Sequence, residues 1–392
     1  MRDRRKVCML PLRNLKRFIA KSVKQPMYAA KVASRRFSAY YSYYFGRGRS
    51  SAPEAITFFL TRLCNLRCKM CGQWGDIGAS KAEDIRKLQS WLSFEEIREV
   101  LEEVSIFSPG ITLFGGEPLM HPDCIDIMKY IKKLKLHGLI ITNGTLLERA
   151  AQDIVGAGWD ELNISLDGDG PLHDQIRGLP GIFDRIMAGI DEVNKLKENF
   201  RVKKPLINIQ CTVSQYNYEK LDVMLYVAKR AKANSLTFHN LIFLKRELVE
   251  EQKKFDGLLG CSSRDWEGFV FEPGIDPGGL FKKMQKILAG SHKFSVDFYP
   301  NFSEKALKEY YENPDYLPSE YAARCLSPWV CAYIFPEGDV KPCLNCSYSF
   351  GNIKIQSFIK AWNSEKAVRY RQTLKKEGIF PICRRCTELY RY

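Results

Sequence analysis

No run of 18 apolar residues occurs anywhere in this 392-residue sequence, so a membrane-spanning helix is not expected. No secretory signal pattern is visible either, because Lys and Arg interrupt the short apolar runs at the start. Both absences weaken a disulfide framework for the 13 cysteines, an odd number, and favour metal ligation or catalysis in a reducing, cytoplasmic setting. Acids are scarce in one region. Residues 1–50 hold 14 Lys and Arg against a single acid, Asp3, so this stretch carries +13 of the formal +15. The rest of the chain is nearly neutral, whereas a nucleic-acid enzyme more often carries its basic surface on the folded domain.

The basic stretch has a pattern. Leu12, Leu15, Phe18, Ile19 and Val23 recur at helical spacing, and Arg13, Lys16, Arg17, Lys21 and Lys24 fill the other faces. Pro26 ends that run, and an aromatic stretch follows at 37–46. A basic amphipathic arm over 1–50 suits peripheral contact with an anionic membrane surface. A solvated tail, a helix packed on the body and a transit segment are the alternatives.

Beyond residue 54 the pattern becomes regular. Apolar strands are expected at 55–61, at 110–118 where the strand runs into a Gly-Gly turn, and at 138–145, 161–168, 206–214 and 235–243, with amphipathic helices between them. Ser93 and Glu96 form a capping box ahead of one of these helices. Six strands alternating with helices predict parallel β/α units, whose ligands gather at the C-terminal ends of the strands.

The end of the first strand is also where three thiols crowd. Cys64, Cys68 and Cys71 are spaced C-x3-C-x2-C, with no fourth Cys or His nearby to close a structural zinc site. Three soft thiolates suit an iron–sulfur cluster with one iron left open. The landmarks that follow are "GGEP" at 115–118, "TNGT" at 142–145, "SLDG" at 165–168 and "HDQIRG" at 173–178.

With these motifs in this order, residues 51–245 resemble the core of the radical S-adenosylmethionine (SAM) superfamily. The resemblance implies a partial (β/α)6 TIM-type barrel and a [4Fe-4S] cluster on Cys64, Cys68 and Cys71. It also implies SAM contacts at Gly115, Gly116 and Glu117, at Asn143 and Ser165, and at Arg177 through the SAM carboxylate. Met70 stands where the family usually has an aromatic whose backbone meets adenine. No residue stands out as a general base.

The last third carries a second cysteine group. Cys325 and Cys343 flank Gly338, "GNI" follows at 351–353 and "AWNS" at 361–364, and Cys383 and Cys386 form a C-x2-C pair. Residues 321–392 resemble the SPASM or shorter twitch extension of the superfamily. That implies one auxiliary [4Fe-4S] cluster on Cys325, Cys343, Cys383 and Cys386, with Cys331 or Cys346 able to substitute. A zinc ribbon from Cys343, Cys346, Cys383 and Cys386 is the competing reading. Cys8, Cys124, Cys211 and Cys261 have no partner pattern and read as core or incidental thiols. Residues 246–320 bridge the two modules and carry no legible motif. His239 reads as a structural histidine or a group at the barrel mouth.

The resemblance implies an oxidoreductase or maturase. It would cleave SAM reductively to a 5′-deoxyadenosyl radical and then oxidise or modify a peptide, sugar or lipid-linked substrate, helped by the auxiliary cluster. An external donor such as a flavodoxin or ferredoxin would supply electrons. The alternative from another class is a zinc-ribbon nucleic-acid-binding protein with a basic arm. A core that binds SAM without reacting is a third possibility, opposed by the intact cysteine triad.

Overall fold

The computed structural model describes residues 26–391. Cys8 and the amphipathic run of Leu12, Leu15, Phe18, Ile19 and Val23 lie outside the described residues. No helix among the described residues is long and apolar enough to cross a membrane.

Six strands follow the expected order: β1 (Ala55–Phe59), β2 (Gly110–Phe114), β3 (His137–Thr142), β4 (Glu161–Ser165), β5 (Leu206–Thr212) and β6 (Ser235–His239). They lie side by side in chain order, all parallel, as β/α crossovers require. The sheet then grows at both edges. β7 (Ser295–Tyr299) pairs parallel with β6. β8 (Cys331–Ile334) pairs parallel with β1, placing Cys331 opposite Ala55. β9 (Asp339–Lys341) and β10 (Gly351–Asn352) continue from β8 as antiparallel neighbours. The mixed α/β fold therefore holds the expected six-stranded core, and the C-terminal segment returns to extend it beside the first strand.

Helices cover one face of this sheet through apolar stripes. Ser93 caps the helix Phe94–Ser105 by accepting from the Glu96 amide, while the Glu96 carboxylate accepts from the Ser93 amide at 2.8 Å. That helix buries Ile97, Val100, Leu101 and Val104. Each such side chain contributes about 1.5–3 kcal/mol by leaving water. On β5, Ile207, Ile209 and Cys211 are buried, while Asn208, Gln210 and Thr212 alternate with them on the opposite face. That opposite face is polar and internally bonded. Asn208 donates to Glu161 at 3.0 Å and to Asn163 at 3.1 Å, and His239 pairs with Gln210 at 2.5 Å. The inner face of β4, β5 and β6 is therefore a polar wall, and His239 is part of it.

The part of the basic stretch that the structure describes is held to the body. A helix runs over Pro26–Phe45 and takes in most of the aromatic stretch. Arg36 donates twice to Glu54, at 2.8 and 3.1 Å, and Tyr43 packs edge-on against Trp329. Lys375 donates to the Tyr43 carbonyl at 2.6 Å. The opposite side of this helix leaves Phe37 (75%), Tyr41 (61%), Tyr44 (51%) and Phe45 (68%) exposed.

Candidate functional site: two thiol centres on one sheet

The loop leaving β1 carries Cys64, Cys68 and Cys71, and its neighbours fix it in place. The Gly116 amide donates to the Thr61 carbonyl at 2.7 Å, and the Glu117 amide to the Leu63 carbonyl at 2.8 Å. A β-carbon at Gly116 would lie 2.2 Å from the Leu63 oxygen, and one at Gly115 would lie 2.5 Å from the Thr61 oxygen. The two glycines are thus needed so that the turn after β2 can press against the cysteine loop. This contact is internal, an addition to the ligand approach expected from the sequence.

Glu117 is fully buried behind this turn. Its carboxylate accepts from the Thr142 hydroxyl and the Asn143 amide, both at 2.7 Å, and from the Leu119 amide at 3.1 Å. Burial pushes its carboxyl up to about 7. Glu117 thereby locks the end of β3 to the end of β2. Asn143 donates from its amide to Asn65 at 2.9 Å and lies 3.8 Å from the Cys64 sulfur.

Arg177 closes the other side. It ends the helix Gly170–Arg177, where Gly178 adopts a left-handed conformation at φ 77°. Its guanidinium pairs with the buried Asp167 at 2.6 and 2.7 Å and lies 3.6 Å from the Cys68 sulfur. Asp167 also accepts from the Thr212 amide at 2.8 Å. Arg177, assigned to an external carboxylate on sequence grounds, therefore has an internal one, and it also reaches a cysteine. Ser165 is half-buried at the end of β4, and Met70 is half-buried against the core beside Cys71.

The three thiols lie within electrostatic reach of one another. Burial pushes the Cys64 thiol up to about 11 and raises Cys68 despite Arg177 beside it. A bound cation would offset that cost, since coordination to metal favours the thiolate. Three soft donors on one loop, with Arg177 and Asn143 beside two of them, are the kind of donor set that an iron–sulfur cluster takes.

The second centre is a largely apolar cavity lined by, among others, Cys261, Cys325, Cys343, Cys346, Cys383 and Cys386. All four expected ligands are there, together with Cys346. Cys331 is buried in β8 and does not line the cavity. The thiols of Cys383 and Cys386 are raised, chiefly by burial, the former to about 12. Cys261 is the residue that sequence reasoning missed. It follows the helix Arg246–Leu259, far from the other five in sequence. The Ser347 amide donates to the Ser262 carbonyl at 3.0 Å, and the Ser262 amide to the Ser347 hydroxyl at 2.6 Å. These bonds bring Cys261 to Cys346. The only available signal was an unpaired cysteine in the bridge. Two buried polar atoms of cavity-lining residues, Trp266 Nε1 and Gln252 Oε1, have no protein partner. The orphaned N–H donor of Trp266, beside several thiols, fits a site shaped for a sulfur-bearing group. The twelve described cysteines are all free thiols, so disulfides play no part among the described residues.

The bridge touches both centres. The 3-10 helix Arg264–Phe269 contributes Trp266 to the cavity lining. On its other side, the Phe269 ring would meet a β-carbon on Gly72, next to Cys71, at 2.3 Å. Trp266 and Phe269 pack with ring centroids 5.4 Å apart.

Comparison with known proteins agrees with this geometry. The radical SAM superfamily model matches residues 58–205, and the SPASM iron–sulfur cluster-binding domain model matches residues 325–387. An AdoMet-dependent heme synthase of Methanosarcina barkeri is 28% identical over 85% of this chain and 89% of its own length. Streptococcus suis SuiB bound to its precursor peptide SuiA superposes with a TM-score of 0.58 at 14% identity, covering 99% of this chain and 79% of SuiB. The protein anSMEcpe with bound AdoMet gives 0.55 at 15% identity, covering 86% of this chain and 88% of that one. At such identities the two structures speak for the fold alone. The SPASM match replaces the zinc-ribbon reading of the C-terminal cysteines, and the cofactors are SAM, its [4Fe-4S] cluster and auxiliary iron–sulfur. The chain belongs to the radical SAM superfamily and carries a C-terminal SPASM iron–sulfur domain.

Proposed function

We propose that this protein is a radical SAM oxidoreductase or maturase that removes electrons from a substrate held over the polar ends of β4, β5 and β6. The observation that carries this reading is the pairing of two thiol centres through one bridge segment, Arg264–Phe269. When bound, the cluster on Cys64, Cys68 and Cys71 supplies the electron that cleaves SAM to methionine and a 5′-deoxyadenosyl radical.

The chain's own residues hold and shield the reacting partners. Arg177 fixes Cys68 and presents cationic charge beside it, suited to a carboxylate such as that of SAM. Asn143 orients Cys64, and Glu117 braces Asn143 from behind. Ser165, Gly115, Gly116 and Met70 supply the rim on which SAM rests. Cys325, Cys343, Cys383 and Cys386 would hold the auxiliary cluster, which would supply an acceptor for the electron the substrate gives up, while an external donor such as a ferredoxin or flavodoxin would supply the electron for SAM cleavage.

For the substrate, a peptide is one reading, kept from the sequence; SuiB, whose structure holds its precursor peptide, shares the fold. The nearly end-to-end likeness to a heme synthase favours a tetrapyrrole as the second. Anaerobic turnover with SAM and dithionite tests both. The protein alone should form 5′-deoxyadenosine slowly, and the true substrate class should accelerate it. Failure to form any 5′-deoxyadenosine with full iron content would remove the enzyme reading.

A further inference from the structure

The auxiliary cavity contains more than its thiols. Trp266 is 3% exposed, its side chain lines the cavity, and its indole N–H has no acceptor in the protein. An unsatisfied buried donor is costly, so its persistence calls for an acceptor. Gln252 shares the lining; one N–H of its amide goes to Asp256 at 2.9 Å, and its unpartnered atom is the acceptor oxygen. An acceptor is no partner for anionic sulfur; a donor is.

Tyr370 is the second candidate donor. It sits on the helix Glu365–Glu377, is 4% exposed and lines the same cavity. Its phenol lies within electrostatic reach of Cys325, Cys343, Cys346 and Cys383. Its ring is clamped by Tyr348, Phe350 and Phe380, with centroids 5.1 to 5.9 Å away. The hydroxyl is therefore held in one place among the thiols.

We propose that Trp266 and Tyr370 donate hydrogen bonds to the sulfur of the auxiliary iron–sulfur group and so raise its reduction potential. The inference rests on the reading of Cys325, Cys343, Cys383 and Cys386 as that group's ligands. The physical reason is charge. Reduction adds negative charge to the cluster and its sulfurs, and a fixed donor stabilises the more negative state more strongly. One donor comes from the bridge and the other from the SPASM domain, so the electron-accepting power of the site depends on both segments being docked.

The test uses the anaerobically reconstituted full chain, with Trp266→Phe, Tyr370→Phe and the double variant. Each substitution keeps the ring and removes one donor. Iron and sulfide content should match the parent. The midpoint of the auxiliary signal, followed by an EPR-monitored redox titration, should shift to lower potential in each single variant and further in the double one. The signal of the cluster on Cys64, Cys68 and Cys71 should not move. Trp266→His, which retains a ring N–H, should recover part of the shift. An unchanged midpoint at full iron content overturns the inference alone. Unchanged iron after Cys383→Ala with Cys386→Ala overturns the ligand reading, and the inference with it.

Discussion

The two thiol centres are built in opposite ways. Cys64, Cys68 and Cys71 come from one loop of eight residues, and their partners stand at the ends of neighbouring strands. The auxiliary thiols come from segments between Cys261 and Cys386 that meet only after the chain has folded back on itself. The first centre has Arg177 and Asn143 beside its sulfurs and opens toward strand ends, where ligands collect. The second is closed over by Trp266, Tyr370, Leu389 and their neighbours. On the proposed function, the difference would separate two tasks. A centre that binds a small molecule needs charged and polar groups at hand, whereas one that only accepts or passes electrons is better dry and rigid.

The sharpest way to break this comparison is Cys68→Ala. We expect complete loss of 5′-deoxyadenosine formation with auxiliary iron retained, read by iron analysis and product chromatography. Loss of iron from both centres would show that they are not independent.

Arg177→Ala comes next. It leaves Asp167 buried without its partner, and breaking such a pair costs about 3–5 kcal/mol. We expect a lower unfolding midpoint together with weakened SAM binding. Arg177→Lys should recover stability more than SAM affinity, because a lysine cannot contact Asp167 and Cys68 at once. Normal SAM binding by Arg177→Ala would confine the residue to bracing Cys68.

Gly116→Ala probes the joint between the sheet and the cysteine loop. The added methyl overlaps the Leu63 carbonyl, and the backbone shift it forces costs about 1–3 kcal/mol. Iron at the triad should fall while auxiliary iron stays, because only the local centre depends on that turn. Equal loss at both sites would contradict this.

The smallest effect is expected away from either centre. Phe37, Tyr41, Tyr44 and Phe45 form one exposed stripe on the helix Pro26–Phe45, in the stretch that carries nearly all the net charge. Cosedimentation with vesicles containing anionic lipid should be salt-sensitive, and Phe37→Ser with Phe45→Ser should weaken it modestly without altering iron content. Equal recovery with neutral vesicles would remove the peripheral-membrane reading.

Much of the first centre was legible because it is local. The spacing of Cys64, Cys68 and Cys71 and the order of the later motifs depend on chain sequence, and parallel β/α units place successive strand ends side by side. The strands β1 to β6 could be read for the same reason, since their apolar runs alternate with helical stripes. The motif at Gly115, Gly116 and Glu117 is legible in the sequence, but the internal contacts of these residues are not. A sequence shows that a glycine is present, not which carbonyl presses against it.

What the sequence by itself determined, then, is the chemistry available: three thiols at one strand end, thiol pairs near the C-terminus and a basic first stretch. The tertiary structure alone decided the rest. It paired β8 with β1, brought Cys261 to Cys346 through Ser262 and Ser347, turned Arg177 onto Asp167, and set Trp266 and Tyr370 around the auxiliary thiols. Apart from Arg177 and Asp167, ten residues apart, these contacts join segments far apart along the chain, and no local periodicity records them. They arise when buried polar groups and apolar faces must find partners in one closed interior.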